Sequence, residues 1–508
     1  MPGTWSSIAS ICSSKRTIAY AVCRDWADRG TSICTSWADK GSAACSSWAD
    51  RGRNQCSSWA DHGRSACSSD RGHNECCDWW PCSWLCDAFY WVANWVCQAW
   101  YWVANWVCQA AYWVAKWVCL GWQWMTNIVC SGNAGPVFLL TDGSILLNEN
   151  AGGYDTHRWW KLEADASGGY GGTWTRLADS TIARKYFASA VLADGRFLVA
   201  GGEYTDTSGS QAQDEAIGVE IYDPLTDSWT VLASPPGATQ LGDPPITVLP
   251  DGRVLVGEID NTNVFIFTPG PDTWAAGPAK GTRSSEESWV LMPDSTVVTV
   301  QTDASGNAEK YDVASNAWVS AGTLPANIIE NASAEIGPGI LLPDGRAFFV
   351  GANAGRTALY SSGVTATDAG SWSAGPTIPM QPGDANPLGS KDGPGALLPG
   401  GKVLFTAGPV DGSSGNFLAP SRFFEFDGNA LARVSDAPNA NCPTYQGRLL
   451  PLPNGQVLWA REDKDEMYAY TNNEAPQDAW RPVIETCPRQ VSPDTVFTLS
   501  GQQFNGLS

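Results

Sequence analysis

Apolar and polar positions along this chain follow two incompatible periods. Up to Cys130 the period is eleven residues. Cys12, Cys23, Cys34, Cys45, Cys56 and Cys67 stand 11 apart, as do Cys86, Cys97, Cys108, Cys119 and Cys130. Eleven residues make three helical turns, so each repeat returns to one helix face; a core of that period gives a straight or slightly right-handed coiled coil. Counting each Cys as position zero, the first run adds Trp26, Trp37, Trp48 and Trp59 at position three, Ala at four and Gly at seven. Those positions share a face, and Asp, Arg, Ser, Asn and Gln fill the others. The pattern predicts a solvated helical stalk over 1–78 with a Cys/Trp/Ala/Gly seam. Gly inside a helix costs about 1 kcal/mol against Ala, so its recurrence predicts a tight approach beside a bulky Trp of a neighbouring helix. A short-coil solenoid with an 11-residue rung is the competing reading.

The second run keeps the period and changes the outside. Trp91, Val92, Trp95, Val96, Trp102, Val103, Trp106 and Val107 make it apolar on every face. Between Asp87 and Lys116 lie 28 residues without a formal charge, which at ~1.5 Å per residue span about 42 Å. Residues 79–130 are therefore expected to cross a membrane, with lipid around 88–115. Asn94, Gln98, Asn105 and Gln109 are costly in lipid unless bonded, and a homo-oligomer joined along the Cys and Trp seam would pair them. A water-soluble fibre whose aromatic exterior other protein covers is the alternative. The joining segment, Cys67–Cys86, contains Pro81 and reads as a kink, a register shift or a hairpin turn. His73, Cys76, Cys77, Cys82 and Cys86 match no common zinc spacing, so disulfides or plain packing are expected there. The Cys ladder leaves the same choice open.

From Pro136 the period lengthens. Short apolar strands flank turns at Asp142, Asp194, Asp251, Asp294, Asp344, Gly400 and Asn454, separated by 52, 57, 43, 50, 56 and 54 residues. Asp-Gly and Asn-Gly between apolar runs predict β-hairpins with both central residues at positive φ. Seven such units predict an all-β propeller of four-stranded blades over 131–485. Most units continue to an aromatic pair, as in Tyr222–Trp229, Phe267–Trp274 and Tyr311–Trp318, expected to pack within blades. These features resemble kelch repeats.

Composition sharpens the division. The chain has 508 residues and a formal net charge of −21, yet the first 130 residues are nearly neutral and hold 14 of the 16 Cys and 17 of the 27 Trp. The acidic remainder excludes nucleic acid, whose phosphates need a basic footprint. Three His (His62, His73, His157) exclude a His-rich metal site. The amino terminus does not read as a convincing signal peptide, since Lys15-Arg16 follows its short apolar stretch. The acidic group Glu462, Asp463, Asp465 and Glu466 reads as solvated surface before it reads as a calcium loop.

Two segments carry a narrower resemblance. Ile182–Gly202 (IARKYFASAVLADGRFLVAGG) and Cys442–Leu458 (CPTYQGRLLPLPNGQVL) resemble the galactose-oxidase family of copper radical oxidases. That resemblance implies a seven-bladed propeller followed by an immunoglobulin-like domain. It also implies a copper held by two Tyr and two His, one Tyr being cross-linked to a Cys. Tyr186 matches the cross-linked Tyr and Tyr445 the axial one. Gln446 replaces the adjoining His, and the Cys position falls near Ala134. The other His belongs to the following domain, of which 486–508 reads as the first strand. A degenerate site without catalytic residues, copper or another metal is expected. The overall expectation is an oligomeric, membrane-anchored display protein carrying non-catalytic propellers as cell-surface binding heads, their ligand unspecified. A galactose-oxidase-like oxidase of sugars or primary alcohols and a disulfide-linked fibre are the alternatives.

Overall fold

The computed structural model describes residues 3–69, 80–128, 133–151, 154–206, 213–303, 305–411, 415–472, 474, 483–488 and 497–502; the side chains of 11–23, 26, 56, 59–69, 80–87, 120–128 and 154 lie outside that description. Two units emerge. One comprises Lys15–Cys130, and the other joins Met1–Ser14 to Ser131–Ser508.

The larger unit is a seven-bladed propeller. Its first blade orders Asn133–Leu139, Ile145–Ala151, Tyr154–Leu162 and Thr175–Arg176 from the inside outwards, and the next five repeat that antiparallel plan, the sixth adding the short strand Leu388–Gly389. The turn after each inner strand is built alike. In the first, Gly143 N–H donates to Leu140 O and Leu140 N–H to Ser144 O, and the Asp142 carboxylate accepts from Ser144 N–H. Only one residue per turn has positive φ: Gly143, Gly195, Gly252, Gly345, Gly401 and Gly455, with Ser295 in the fourth blade. The expectation of two positive-φ residues is thereby corrected. A type I turn closed by a left-handed residue needs one such position, and the Asp side chain satisfies the backbone beside it.

The seventh blade is closed from the other end of the chain. Gly447–Pro451, Val457–Arg461 and Met467–Thr471 supply three strands, and Thr4–Ile8 pairs with Met467–Thr471 as the fourth. Trp5 lies opposite Tyr470, ring centroids 4.9 Å apart. The same cross-strand pair recurs in Tyr222–Trp229 at 5.1 Å and Phe267–Trp274 at 5.0 Å. Gly3 is held by that packing, because a Cβ there would fall 2.2 Å from the Tyr470 ring. The expected stalk boundary is therefore corrected: residues 4–8 belong to the propeller, where they cover a strand edge that would otherwise stand open. The helical segment is an insertion between the outer strand of blade seven and the inner strand of blade one. Beyond the propeller, Val483–Thr486 pairs with Ser500–Gln502.

The smaller unit contains two helices, α1 (Ile11–Ser69) and α2 (Trp80–Ile128). They face each other in one antiparallel register, and the seam closes within the chain. Cys34 is bonded to Cys108 and Cys45 to Cys97, and Cys119 is disulfide-bonded as well. The joining segment read as a kink, a register shift or a hairpin turn lies largely outside the described residues; the helices on either side of it run antiparallel. The other Cys of the ladder, Trp26 and Trp59, and the zinc candidates fall outside the described side chains. Gly30, Gly41 and Gly52 face Tyr112, Tyr101 and Tyr90, and a Cβ would come within 2.1, 2.0 and 2.1 Å of those rings. The expected close approach is present, made by Tyr instead of Trp. Trp37 and Trp48 flank the same rings at 5.1 Å and remain about half exposed.

The amides of α2 are satisfied without a second chain. Gln98 donates to Ser46 Oγ at 2.7 Å and Gln109 to Thr35 Oγ1 at 2.8 Å. Asn94 and Asn105 accept from those same Gln side chains. Among the described residues no helix is long and apolar enough to cross a membrane, which corrects the expected crossing. Tyr, Asn and Gln dilute the apolar run, and one side of α2 is already spent on α1. Its other side carries Trp91, Trp95, Trp102, Trp106, Trp113 and Trp117, each 59–71% exposed. The outer positions of α1 are instead Asp28, Arg29, Asp39, Lys40, Asp50 and Arg51.

Candidate functional site

Inner strands of successive blades converge on the propeller axis, and the residues just before them line a cavity of about 570 Å³. One sequence column builds it. Eight residues before each turn stand Ala134, Tyr186, Asp243, Glu286, Ile336, Asp392 and Gln446, with Glu335 beside Ile336. Tyr186, Asp243, Glu286, Glu335 and Asp392 all reach the cavity, joined by Glu203, Glu287, Phe417, Tyr445 and Arg448.

The structure brings together the two Tyr singled out from the sequence. Tyr186 and Tyr445 meet edge to face, ring centroids 6.3 Å apart. Tyr186 holds a left-handed backbone, φ 50°, a conformation that costs a bulky residue free energy. Its hydroxyl donates to Glu462 at 3.4 Å, and Lys185 pairs with that carboxylate. Burial raises the Tyr186 pKa far above the ordinary phenol value, and the charges of Glu462 and Tyr445 add to the effect. Gln446 ends the short turn Thr444–Gln446, and its carbonyl accepts from Glu462 N–H. Ala134 is fully buried and has no thiol to offer Tyr186. Among the described residues no imidazole lines the cavity; His157 pairs instead with Asp206 at 2.8 Å. Two phenols and a carboxamide do not make the nitrogen-rich donor set that copper prefers.

The acidic group read as surface is divided. Glu462 is buried beneath Tyr186, whereas Asp463 turns to Arg461 at 3.3 Å.

The carboxylates define the site's electrostatics. Glu287 is neutralised by buried Lys280. Glu203, Asp243, Glu286, Glu335 and Asp392 share the cavity with Arg448, the single basic lining residue described. The ligand oxygens of Glu286, Glu335 and Asp392 all lie within 4.8 Å of one another. Burial, then repulsion from neighbouring carboxylates, lifts Asp243 to about 9. Burial lifts Glu203 to about 7 and Glu335 also to about 7. Asp392 is raised by burial and by the charges of Glu286 and Glu335. Glu335 is 5% exposed, and its Oε2 has no hydrogen-bond partner. Crowded acids of this kind either retain protons or attract a cation. They escaped the sequence reading, although the column eight residues before each turn contains most of them.

No protein-family profile matches the chain. It is 31% identical to human Kelch-like protein 30 over 119 residues, 22% of this chain and 20% of that protein. It is 32% identical to the Kelch-like protein terF of Aspergillus terreus over 129 residues, 24% of this chain and 25% of that protein. The chain thus spans a fifth to a quarter of the length of these relatives. Solved structures similar to it include a catalytically inactive Staphylococcus aureus virginiamycin B lyase with quinupristin, at 13% identity and TM-score 0.47, covering 67% of this chain and 96% of that one. A fungal alcohol oxidase in complex with copper is 13% identical at TM-score 0.49, covering 70% and 81%. The larger unit is thus a seven-bladed propeller, part of whose sequence is similar to Kelch-like proteins.

Proposed function

We propose that this chain is a non-catalytic binding protein whose propeller captures a cationic group in its axial cavity, and whose helical hairpin rests on a membrane surface. The column of carboxylates without an imidazole carries the first half. It replaces a redox-metal donor set with a well of clustered acids, and a binding head needs no more than that. An assay after copper loading tests it. The expected result is no tyrosyl-radical absorption and no peroxide from galactose or primary alcohols. A stoichiometric copper with radical absorption and turnover would restore the oxidase reading.

The hairpin supports the second half. Its α2 exterior is a stripe of Trp and Val from Trp91 to Val118, and its α1 exterior is charged. A pair of helices with one apolar and one charged side lies in the membrane interface, where Trp is favoured. Disulfides within the hairpin agree with an oxidising compartment, and a cell-surface location is part of this proposal. Flotation with phosphatidylcholine vesicles should carry the protein upward. Replacing Trp95, Trp106 and Trp117 with Ser should weaken partitioning at least about tenfold. Failure of the unmodified protein to float contradicts the membrane half.

A further inference from the structure

We propose that Glu286, Glu335 and Asp392 form a calcium site that joins blades four, five and six at the propeller axis. The inference rests on the cation-capturing reading above and gives one occupant of that cavity a chemical identity.

Three observations converge. The first is placement. Each carboxylate sits three or four residues before an inner strand, at Val290–Leu291, Gly339–Leu341 and Gly395–Leu397. Three consecutive blades therefore each aim one acid at one point, and their ligand oxygens fall within 4.8 Å of one another. The second is an orphaned atom. Glu335 lines the cavity, is 5% exposed, and leaves Oε2 without an N–H or hydroxyl donor, its carboxyl meeting only that of Asp392. A buried carboxylate oxygen without a donor is costly, and a bound cation supplies what is missing. The third is that the nearby cations bond elsewhere, although the Lys391 charge still reaches Glu335. Lys280 is taken by Glu287, and Lys391, beside Asp392, donates to Gly415 O at 2.8 Å and sits over the Phe417 ring. Arg448 donates to the carbonyls of Tyr445 and Gly447.

The donor set selects the metal. Three carboxylates with no sulfur or imidazole suit a hard cation. Together they offer up to six oxygens. Calcium accepts six to eight oxygens in adaptable geometry, whereas magnesium keeps most of its waters and takes one or two carboxylates. The bond between Asp392 N–H and Ile336 O, 3.2 Å, already ties blades five and six beside the triad. A metal would extend that tie to blade four.

The full-length protein, stripped with a chelator and dialysed, is titrated with calcium chloride by calorimetry. Terbium emission sensitised by Tyr186, Tyr204 and Tyr445 serves as a second readout. One equivalent is expected, with magnesium at least tenfold weaker. At about 100 times the dissociation constant, calcium should raise the thermal midpoint by at least about 3 °C. Glu335→Gln and Asp392→Asn should each weaken calcium at least thirtyfold, while Glu163→Gln, on a distant exposed residue, should not. Near-UV circular dichroism checks that the variants fold. Absence of binding by the unmodified protein, or equal affinity in Glu335→Gln and Asp392→Asn, overturns the calcium site. A hexalysine arm separates the two readings. If hexalysine binds and calcium does not, the calcium site is wrong and the cation-capturing cavity stands. If neither binds, both fall.

Discussion

In chelator, this protein should be most stable near pH 5 and should lose stability steadily up to pH 8 or 9. Most proteins change little over that range, because their carboxylates are ionised in both states. Here several are held protonated by the fold. Asp155 and Glu335 are each raised to about 7 chiefly by burial, Glu203 likewise to about 7, and Asp243 to about 9. A folded-state pKa above the unfolded one means that the folded chain binds more protons between the two values. Stability from these groups is complete below about pH 4 and falls as pH rises through the folded pKa. One pKa unit corresponds to about 1.4 kcal/mol. Asp155 and Glu335, both 5% exposed, would therefore account for roughly 4 and 3 kcal/mol before coupling between sites reduces their sum.

Groups of the opposite sense set the acid limb. Asp272 is lowered by its hydrogen bonds to Arg196, and Glu258 is lowered because bonds from Thr239, Asn263 and Gln240 outweigh its burial. Their contribution is present above the unfolded carboxylate range and disappears only as pH falls through their depressed values. The two sets together place the maximum near pH 5. Chemical denaturation at pH 5, 6.5 and 8 in chelator checks this. A stability that is flat or rises with pH would refute the protonated cavity.

How much of this was legible in sequence depends on which residues had to find each other. The seven turns were legible because turn chemistry is local: Asp142 and Gly143 make their hydrogen bonds within four residues. The seventh blade was not, because Trp5 meets Tyr470 across nearly the whole chain. The signal existed, since Gly3-Thr4-Trp5 repeats Gly172-Thr173-Trp174. It was hidden by the helical insertion that follows Trp5.

The eleven-residue period gave the helices, the shared face and the crowded Gly. It could not give the partner. A Cys every three turns serves a second chain as well as it serves a returning helix, and the pairing of Cys34 with Cys108 depends on where the chain reverses. Gln98 and Gln109 were expected to need another molecule for the same reason; Ser46 and Thr35 of the same hairpin satisfy them. The axial site was half legible. Tyr186 and Tyr445 were legible through their resemblance to a copper site, whereas Asp243, Glu286, Glu335 and Asp392 belong to no motif of that resemblance. Those acids are spread over about 150 residues of sequence, and closure of the blades makes them neighbours.

The second large effect concerns binding itself. Five acids face the single Arg448 in a partly desolvated cavity; at pH 8 Glu203 and Glu335, raised to about 7, are ionised, whereas Asp243, at about 9, still holds its proton, and charge interactions there are several times stronger than in water. A lysine side chain entering it should gain about 1.4 kcal/mol, or tenfold in affinity, from each nearby carboxylate even after solvent weakens the field. The most direct measurement is calorimetric titration of hexalysine into the full-length protein at pH 8 in chelator. It is repeated at rising sodium chloride and with the Glu335→Gln/Asp392→Asn double variant. One site is expected, weakening as salt screens it and at least thirtyfold weaker in the double variant. No binding, or binding that ignores both salt and the two substitutions, would contradict a propeller that captures cations at its axis.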